Sequence, residues 1–135
     1  MSKGNTTEND LMKFMFNNVA MPSYGSNLYL SLHTSDPGEA GDQTSNESDY
    51  TNYARVAVSR DAGGFTVSNN LSQNAALVQF PQCGGNPQTI THIAVGTAAS
   101  GAGQILYSGI LNAPLAVANL IQPQIPANAL QTQED

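Results

Sequence analysis

The side chains that could do chemistry lie mostly in one stretch of the chain. Five of the ten Asp and Glu residues fall between Thr34 and Asn52; they are Asp36, Glu39, Asp42, Glu47 and Asp49. Carboxylate oxygens are the ligands that calcium prefers. Their spacing, however, does not match the helix–loop–helix calcium pattern, in which alternate ligand positions end in a bidentate Glu. The spacing favours a solvated loop, and we predict no bound metal and no cofactor.

The second half of the chain is poor in groups that could transfer a proton. No Asp, Glu, Lys or Arg occurs between residues 62 and 133, and the candidates there are His92, Cys83 and Tyr107. General acid–base catalysis needs two titratable groups with separated pKa values, and this half offers no carboxylate to pair with them. Cys83 has no nearby His or helix N-terminus in the sequence to lower its pKa, so we predict a passive thiol.

His33 follows an alternating strand and could meet Asp36 or Asp49 in the acidic stretch. A lone histidine beside an acidic loop is usually a hydrogen-bonded structural residue, and we interpret His92 in the same way. The glycine-rich "GTAASGAG" joins two predicted strands, and no helix N-terminus follows it to receive a phosphate. Together these observations predict that the chain is not an enzyme.

The charge balance narrows the class of partner. The formal net charge is −6, and the cations are Lys3, Lys13, Arg55 and Arg60. A phosphate backbone would be repelled by this charge, so we predict no nucleic-acid partner. Residues 62–133 are surfaced by Asn, Gln, Ser, Thr, Gly and Ala instead of charge. Either this surface packs against another protein or it is a neutral β-surface, and the sequence leaves both interpretations open.

The first element that must position these residues is an N-terminal helix in "TTENDLMKFMFNNVAM". Thr6 or Thr7 is the predicted N-cap, and Pro22 and Gly25 are expected to end the helix. An apolar stripe recurs at helical spacing, namely Leu11, Phe14, Met15 and Val19. This stripe either packs on the chain's own sheet or docks on a neighbouring subunit, in which case Phe14 and Met15 bind a partner.

Seven or eight short strands follow the helix. The alternating segments are "LYLSLH", "YARVAVS", "GGFTVS", "NAALVQFP", "TITHIAVG" and "QILYSGIL", with one or two strands in the tail. Turn signals between short strands predict an all-β fold, an antiparallel β-sandwich of jelly-roll or Ig-like type with a short N-terminal α-helix. The predicted core is Leu28, Leu30, Leu32, Val56, Val58, Val78, Phe80, Ile93, Val95, Leu106 and Ile110. In the segments around residues 29–33 and 53–57, Tyr29, Ser31, His33, Tyr53, Arg55 and Ala57 are expected to face outward.

The length of 135 residues fits one sandwich domain, 1–135. Within it we expect an N-terminal helix and arm at 1–22 and an extended acidic loop at 34–52. The lone Cys83 can form no internal disulfide, no run is long enough to span a bilayer, and "MSKGNTTEND" lacks the apolar core of a signal peptide. We therefore expect a soluble protein made in the cytoplasm, without a membrane partner.

The order of these motifs carries a resemblance. "LYLSLHTSDPGEAGDQ", "YTNYARVAV", "GGFTVS", "FPQC" and "ITHIAVGTAASGAGQILYSGIL" follow one another as in a family of small tailed-bacteriophage virion proteins, often labelled tail fibre proteins. The resemblance spans nearly the whole chain from Asn9 onward. The chain departs from many relatives in having Phe65 where Trp is expected and Gln104 where Lys is expected. The family brings no catalytic residues to carry over.

In size and all-β character the chain also resembles the decoration or cement proteins of capsid lattices. This resemblance implies a structural protein on the capsid surface that bridges capsomers and stabilises the head, bound to the major capsid protein as a homo-oligomer, with a trimer favoured. The acidic loop would then project as an arm whose five carboxylates meet basic groups on a partner. The alternatives are a tail-associated or fibre-like module that recognises a host glycan through exposed tyrosines, and a head–tail joining protein.

Overall fold

The computed structural model describes residues 1–134, which form ten strands and one helix. The elements are β1 (Ser2–Lys3), α1 (Asn5–Asn17), β2 (Asn27–His33), β3 (Val56–Ser59), β4 (Phe65–Ser68), β5 (Leu71–Asn74), β6 (Val78–Gln79), β7 (Gln88–Gly96), β8 (Ile105–Val117), β9 (Gln124–Ile125) and β10 (Gln131–Gln133). The strands pair as a five-stranded sheet in the order β1–β8–β7–β2–β3, a three-stranded sheet in the order β10–β5–β4, and the pair β6–β9. The paired strands are antiparallel throughout.

This arrangement confirms the predicted antiparallel β-sandwich with a short N-terminal helix. The predicted hairpin is also present, because β7 and β8 pair over most of their length and residues 97–104 connect them. The sequence missed β5, whose residues "LSQN" show no apolar alternation, although this strand pairs with both β4 and β10. Within the described residues, no helix is long and apolar enough to cross a membrane.

The core lies between the five-stranded sheet and the shorter strands. Leu30 and Leu32 of β2 face it together with Ile93 and Val95 of β7, because alternate strand residues point to the same face. Of the predicted core residues, Leu30, Leu32, Val78, Phe80, Ile93, Val95 and Leu106 are buried, and Leu28, Val56 and Val58 are partly buried against them.

The prediction that Ile110 belongs to the core is wrong, since the residue is 75% exposed to solvent. Its strand shifts register: Val95 pairs with Tyr107 but Gly96 pairs with Ile105, so Leu106 is an extra residue in β8. An inserted residue moves every later side chain of a strand to the opposite face. Ile110 therefore lies opposite His92, on the face turned away from the core.

Helix α1 begins at Asn5, before both predicted N-cap residues, Thr6 and Thr7, and no side chain caps it. Its N-cap is Gly4, where a Cβ atom would lie 2.5 Å from the carbonyl oxygen of Ile105. The helix can begin there because β1 fixes the preceding residues on the sheet edge. It ends at Asn17, before Pro22, because Asn18 adopts a left-handed conformation with φ of 55° and its amide donates to the carbonyl of Lys13.

Candidate functional site

The acidic loop does not project from the sandwich as expected; it folds back across one face of β2. The amide of Thr34 donates to the carbonyl of Asn46 at 2.9 Å, and the amide of Ser48 donates to the carbonyl of Leu32 at 2.8 Å. Ser31 and His33, which were expected to face outward, are fully buried beneath it. The loop thus covers the polar face of the strand whose other face builds the core.

Arg55 and Glu47 hold this loop to the hairpin connection at 97–104. The Arg55 guanidinium donates through Nε and Nη2 to the two carboxylate oxygens of Glu47, at 2.7 and 2.8 Å. It also donates to the carbonyl oxygens of Ala98 and Gly101. The hydrogen bond to Glu47 raises the pKa of Arg55, although burial opposes this.

The burial of Arg55 corrects the expectation that it faces outward. Its side chain is 3% exposed, and its neighbour Tyr53 packs against the core while Ala54 is exposed. The strand alternation fails here because β3 begins only at Val56. Burial raises the pKa of Tyr53, whose hydroxyl donates to Glu47 at 2.8 Å and accepts from the amide of Leu32.

Gln43 fills the space between the acidic loop and the hairpin connection. It is fully buried, accepts a hydrogen bond from the amide of Ala98 at 2.9 Å and donates to the carbonyl of Tyr29 at 3.3 Å. A Cβ atom at Gly96 would lie 2.1 Å from Gln43, and one at Gly103 would lie 2.3 Å from it. The glycines of "GTAASGAG" therefore make room for a glutamine side chain.

The predicted chemical residues have separate, structural surroundings. His33 lies between the Ser31 hydroxyl and the Ser45 carbonyl, at 2.8 Å from each, and not against Asp36 or Asp49. Burial disfavours the charged form of His33 and so lowers its pKa. Cys83 is buried and its thiol donates to the carbonyl of Gly85, and the ring of His92 forms a hydrogen bond with the Thr91 hydroxyl.

The five predicted partner-binding carboxylates differ in their availability. Glu47 finds its basic partner inside the chain, as Arg55. Asp36, Glu39 and Asp49 stay exposed at the surface of the loop, while Asp42 is half-buried. Hydrogen bonds from Thr44 lower the pKa of Asp42. Among residues 1–134, no group of three or more His, Cys, Asp and Glu is placed to hold a metal ion.

Helix α1 is attached to the sandwich by its first turn. The Thr7 hydroxyl donates to the carbonyl of Ile105 at 2.9 Å, and Gln104 donates to Thr7 and to the carboxylate of Asp10 at 3.0 and 3.2 Å. The amide of Asn5 donates to the carbonyl of Glu39. The helix is thus fixed at one end to β8 and to the acidic loop.

The rest of α1 does not pack on the chain's own sheet. Every residue from 12 to 20 is exposed, and Phe16 is 72% exposed. Phe14 and Met15, the predicted contact residues, are about half exposed, whereas Leu11 is partly buried. Of the two interpretations of the apolar stripe, packing on the chain's own sheet is therefore wrong beyond the first turn.

A second apolar surface lies on the face of the five-stranded sheet opposite to the one that the acidic loop covers. We call it the inter-sheet cleft; it has a volume of about 710 Å³ and opens between the five-stranded and three-stranded sheets. Its apolar lining includes Leu28, Phe65, Val67, Val95, Leu106 and Leu130. The cleft exists because the short strands β4, β5 and β10 cover only part of the longer strands beneath them.

The alternative of a module that recognises a host glycan requires an exposed cluster of tyrosines. Tyr50 is buried, and burial raises its pKa to about 12. Tyr24, Tyr29, Tyr53 and Tyr107 are each partly buried. The tyrosines therefore form no exposed cluster. Exposed aromatic rings are found instead on α1, at Phe14 and Phe16.

A comparison with protein families decides the family. The family model described as podophage GP4 fiber I protein gp80 matches residues 2–133. The chain belongs to this family. No curated protein matches the chain. Membership confirms the resemblance to small virion proteins of tailed bacteriophages and makes the chain a structural protein of the virion.

Proposed function

We propose that this chain is a non-catalytic structural subunit of the phage fibre, which assembles as a homo-oligomer, with a trimer favoured. The observation that carries the proposal is the helix α1, whose apolar side chains stand in solvent on a protein of the fiber I family. An isolated helix of this length is marginally stable in water. Contact with another subunit would bury Phe14, Met15 and Phe16 and hold the helix in place.

The polar surroundings of the titratable groups support a structural role. His33 and Cys83 are buried and hydrogen-bonded to neighbouring groups, and Glu47 is paired with Arg55. The tyrosines form no exposed cluster, so we assign host-glycan recognition to another component of the fibre. The exposed carboxylates Asp36, Glu39 and Asp49 would instead meet basic groups on an adjoining virion protein.

The placement can be tested with virions in which production of this chain is abolished. We expect intact heads that retain their DNA, together with loss or shortening of the fibre and reduced adsorption. Electron cryomicroscopy of normal virions should then locate the chain at the tail, in a small number of copies.

The second candidate is capsid decoration, which is supported by the resemblance of this antiparallel β-sandwich to the all-β decoration proteins of capsid lattices. In that case the major capsid protein would be the partner. Copies in multiples of the capsid lattice repeat, and heads that leak DNA when the chain is absent, would overturn the fibre placement in favour of this role.

A further inference from the structure

Two apolar surfaces of the described chain, residues 1–134, lack a covering partner: the outer part of α1 and the inter-sheet cleft. We propose that α1 of one copy docks its apolar side chains into the inter-sheet cleft of a second copy. The proposal rests on the homo-oligomeric part of the proposed function, and it identifies the two surfaces that form the contact.

The helix presents side chains at the spacing that grooves recognise. Met12, Met15 and Phe16 stand at positions i, i+3 and i+4 of α1, and all three are exposed. Helices that lie in apolar grooves use anchors at this spacing. A helix of 13 residues is about 20 Å long, so these anchors reach well beyond the first turn that is fixed to β8.

The inter-sheet cleft suits such anchors in size and chemistry. Its volume of about 710 Å³ lies in the range of pockets that enclose a drug-sized molecule, which is enough for several side chains but not for a whole helix. A second groove, of about 1180 Å³, is lined by Asp36, Glu39 and His92 as well as apolar groups. The inter-sheet cleft also has charged residues in its lining, namely Arg60, Asp61 and Glu134, but its lining surface is mostly apolar, whereas the second groove is as polar as it is apolar. Apolar anchors would desolvate less polar surface in the inter-sheet cleft, which is therefore the better acceptor.

The occupant must come from another copy because of where α1 begins. Its first residue bonds Glu39 of the acidic loop, and that loop covers the face of β2 that carries Ser31 and His33. Leu28 of the same strand lines the cleft on the opposite face. The helix could not enter its own cleft without breaking the hydrogen bonds of its first turn.

Each contact covers the helix of one copy and the cleft of another, since every copy carries one helix and one cleft. Both surfaces of every copy are covered when two copies exchange helices reciprocally or when successive copies close into a ring. Lys13 forms no ion pair within residues 1–134, and neither does Asp61, which lines the cleft, so the two can pair across the contact. The other charged residues of the lining have partners in the chain: Glu134 is paired with Lys3, and Arg60 donates to the carbonyl of Gly25. Opposite charges at a rim guide orientation more than they raise affinity.

The test is a cross-link between two different single-cysteine copies, both carrying Cys83→Ala. One copy carries Phe16→Cys, and a second, labelled with nitrogen-15, carries Val67→Cys in the cleft. After mild oxidation of the mixture, mass spectrometry should find mainly disulfides that join one copy of each kind. Thr66→Cys replaces Val67→Cys in the matched control, because Thr66 is exposed on β4 but does not line the cleft, and it should cross-link at least about tenfold less.

Disulfides that join two Phe16→Cys copies would show helix–helix contact and overturn the proposal. An oligomer of the unmodified chain that yields no link to Val67→Cys would also overturn it, while leaving the homo-oligomer intact. Sedimentation of the unmodified chain as a monomer at all concentrations would overturn both. Asp61→Asn keeps the acceptor that binds the amides of Gly63 and Gly64, so it should weaken association slightly without disturbing that turn.

Discussion

The acidic loop and helix α1 reverse the exposure that their compositions suggest. The loop is rich in carboxylates, yet it buries Gln43, Ser48 and Tyr50 and closes over His33. The helix is rich in Met and Phe, yet its residues from 12 to 17 lie in solvent. Within one chain, the polar segment is integrated into the fold and the apolar segment is left at the surface.

The difference lies in the partners that each region finds within the chain. The loop can be buried because its polar groups are paired, as Glu47 is with Arg55 and Gln43 with the backbone of Ala98. A buried polar group costs far more free energy when it lacks such partners than when it has them. The helix finds partners only for its first turn, so its apolar face remains for another subunit.

The largest expected effect comes from breaking the pairing of the loop. Arg55→Met should lower the free energy of unfolding by about 3–5 kcal/mol, because it leaves Glu47 partly buried without its charge partner. Urea denaturation measures the change. The double variant Arg55→Met with Glu47→Gln should recover part of the loss, since no unpaired charge is then left. A loss below about 1 kcal/mol in the single variant would mean that the loop is held by other contacts.

Leu30→Ala provides a reference from the core. Leu30 is fully buried, so its truncation should cost about 2–5 kcal/mol through lost burial and a cavity. Thr66→Ala, at an exposed position of β4 that does not line the inter-sheet cleft, is the control and should change stability by less than about 0.5 kcal/mol. If both variants unfold at the same urea concentration as the unmodified chain, the assigned core is wrong.

The buried His33 should make stability depend on pH. Its pKa is lowered below the ordinary value of 6.5, so the unfolded chain binds the proton more readily. Stability is therefore complete above pH 6.5 and decreases as the pH falls below that value, toward the lowered pKa of the folded state. His33→Gln, which does not titrate, should flatten the dependence between about pH 7 and 5. An equal slope in both proteins would assign the effect to other groups.

The helix should behave in the opposite way to the loop. Phe14→Ser combined with Met15→Ser should change the free energy of unfolding of the single chain by less than about 0.5 kcal/mol, because both side chains are largely exposed. Incorporation into virions should nevertheless fall, which quantitative mass spectrometry of purified particles would measure. Asn17→Ser, another exposed helix position, serves as the control; equal incorporation of both variants would contradict a docking role.

The smallest effect on stability is expected at the exposed carboxylates. Asp36→Asn, Glu39→Gln and Asp49→Asn together should leave the fold unchanged within about 0.5 kcal/mol, because Asn and Gln keep the acceptor oxygens. If these groups bind a basic partner, occupancy on the virion should decrease, and high salt should mimic the effect. Unchanged occupancy after both treatments would show that they are only solvated.

Strand alternation allowed the sequence to determine the fold class and most of the core. Leu30, Leu32, Ile93 and Val95 repeat every second residue, and this period survives wherever a strand is regular. The prediction for Ile110 was wrong because a bulge at Leu106 shifts the strand by one residue. The local sequence gives no signal for such an inserted residue.

The sequence also determined where the titratable groups are: five carboxylates lie between residues 34 and 52, and no Asp, Glu, Lys or Arg lies between residues 62 and 133. That the chain is not an enzyme stays a prediction. Only the tertiary structure decided which of the titratable groups are buried. Arg55 and Glu47 are eight residues apart, and neither their types nor their spacing predicts that they pair. Nor does the sequence show that the carbonyls of Ala98 and Gly101, in the connection between β7 and β8, accept the other hydrogen bonds of Arg55. Burial of a polar group depends on partners that are distant in the chain. The apolar stripe of the helix likewise predicted a contact, but the sequence did not say with what. Only the fold shows that the stripe finds no partner within residues 1–134, so that the contact is left for another subunit.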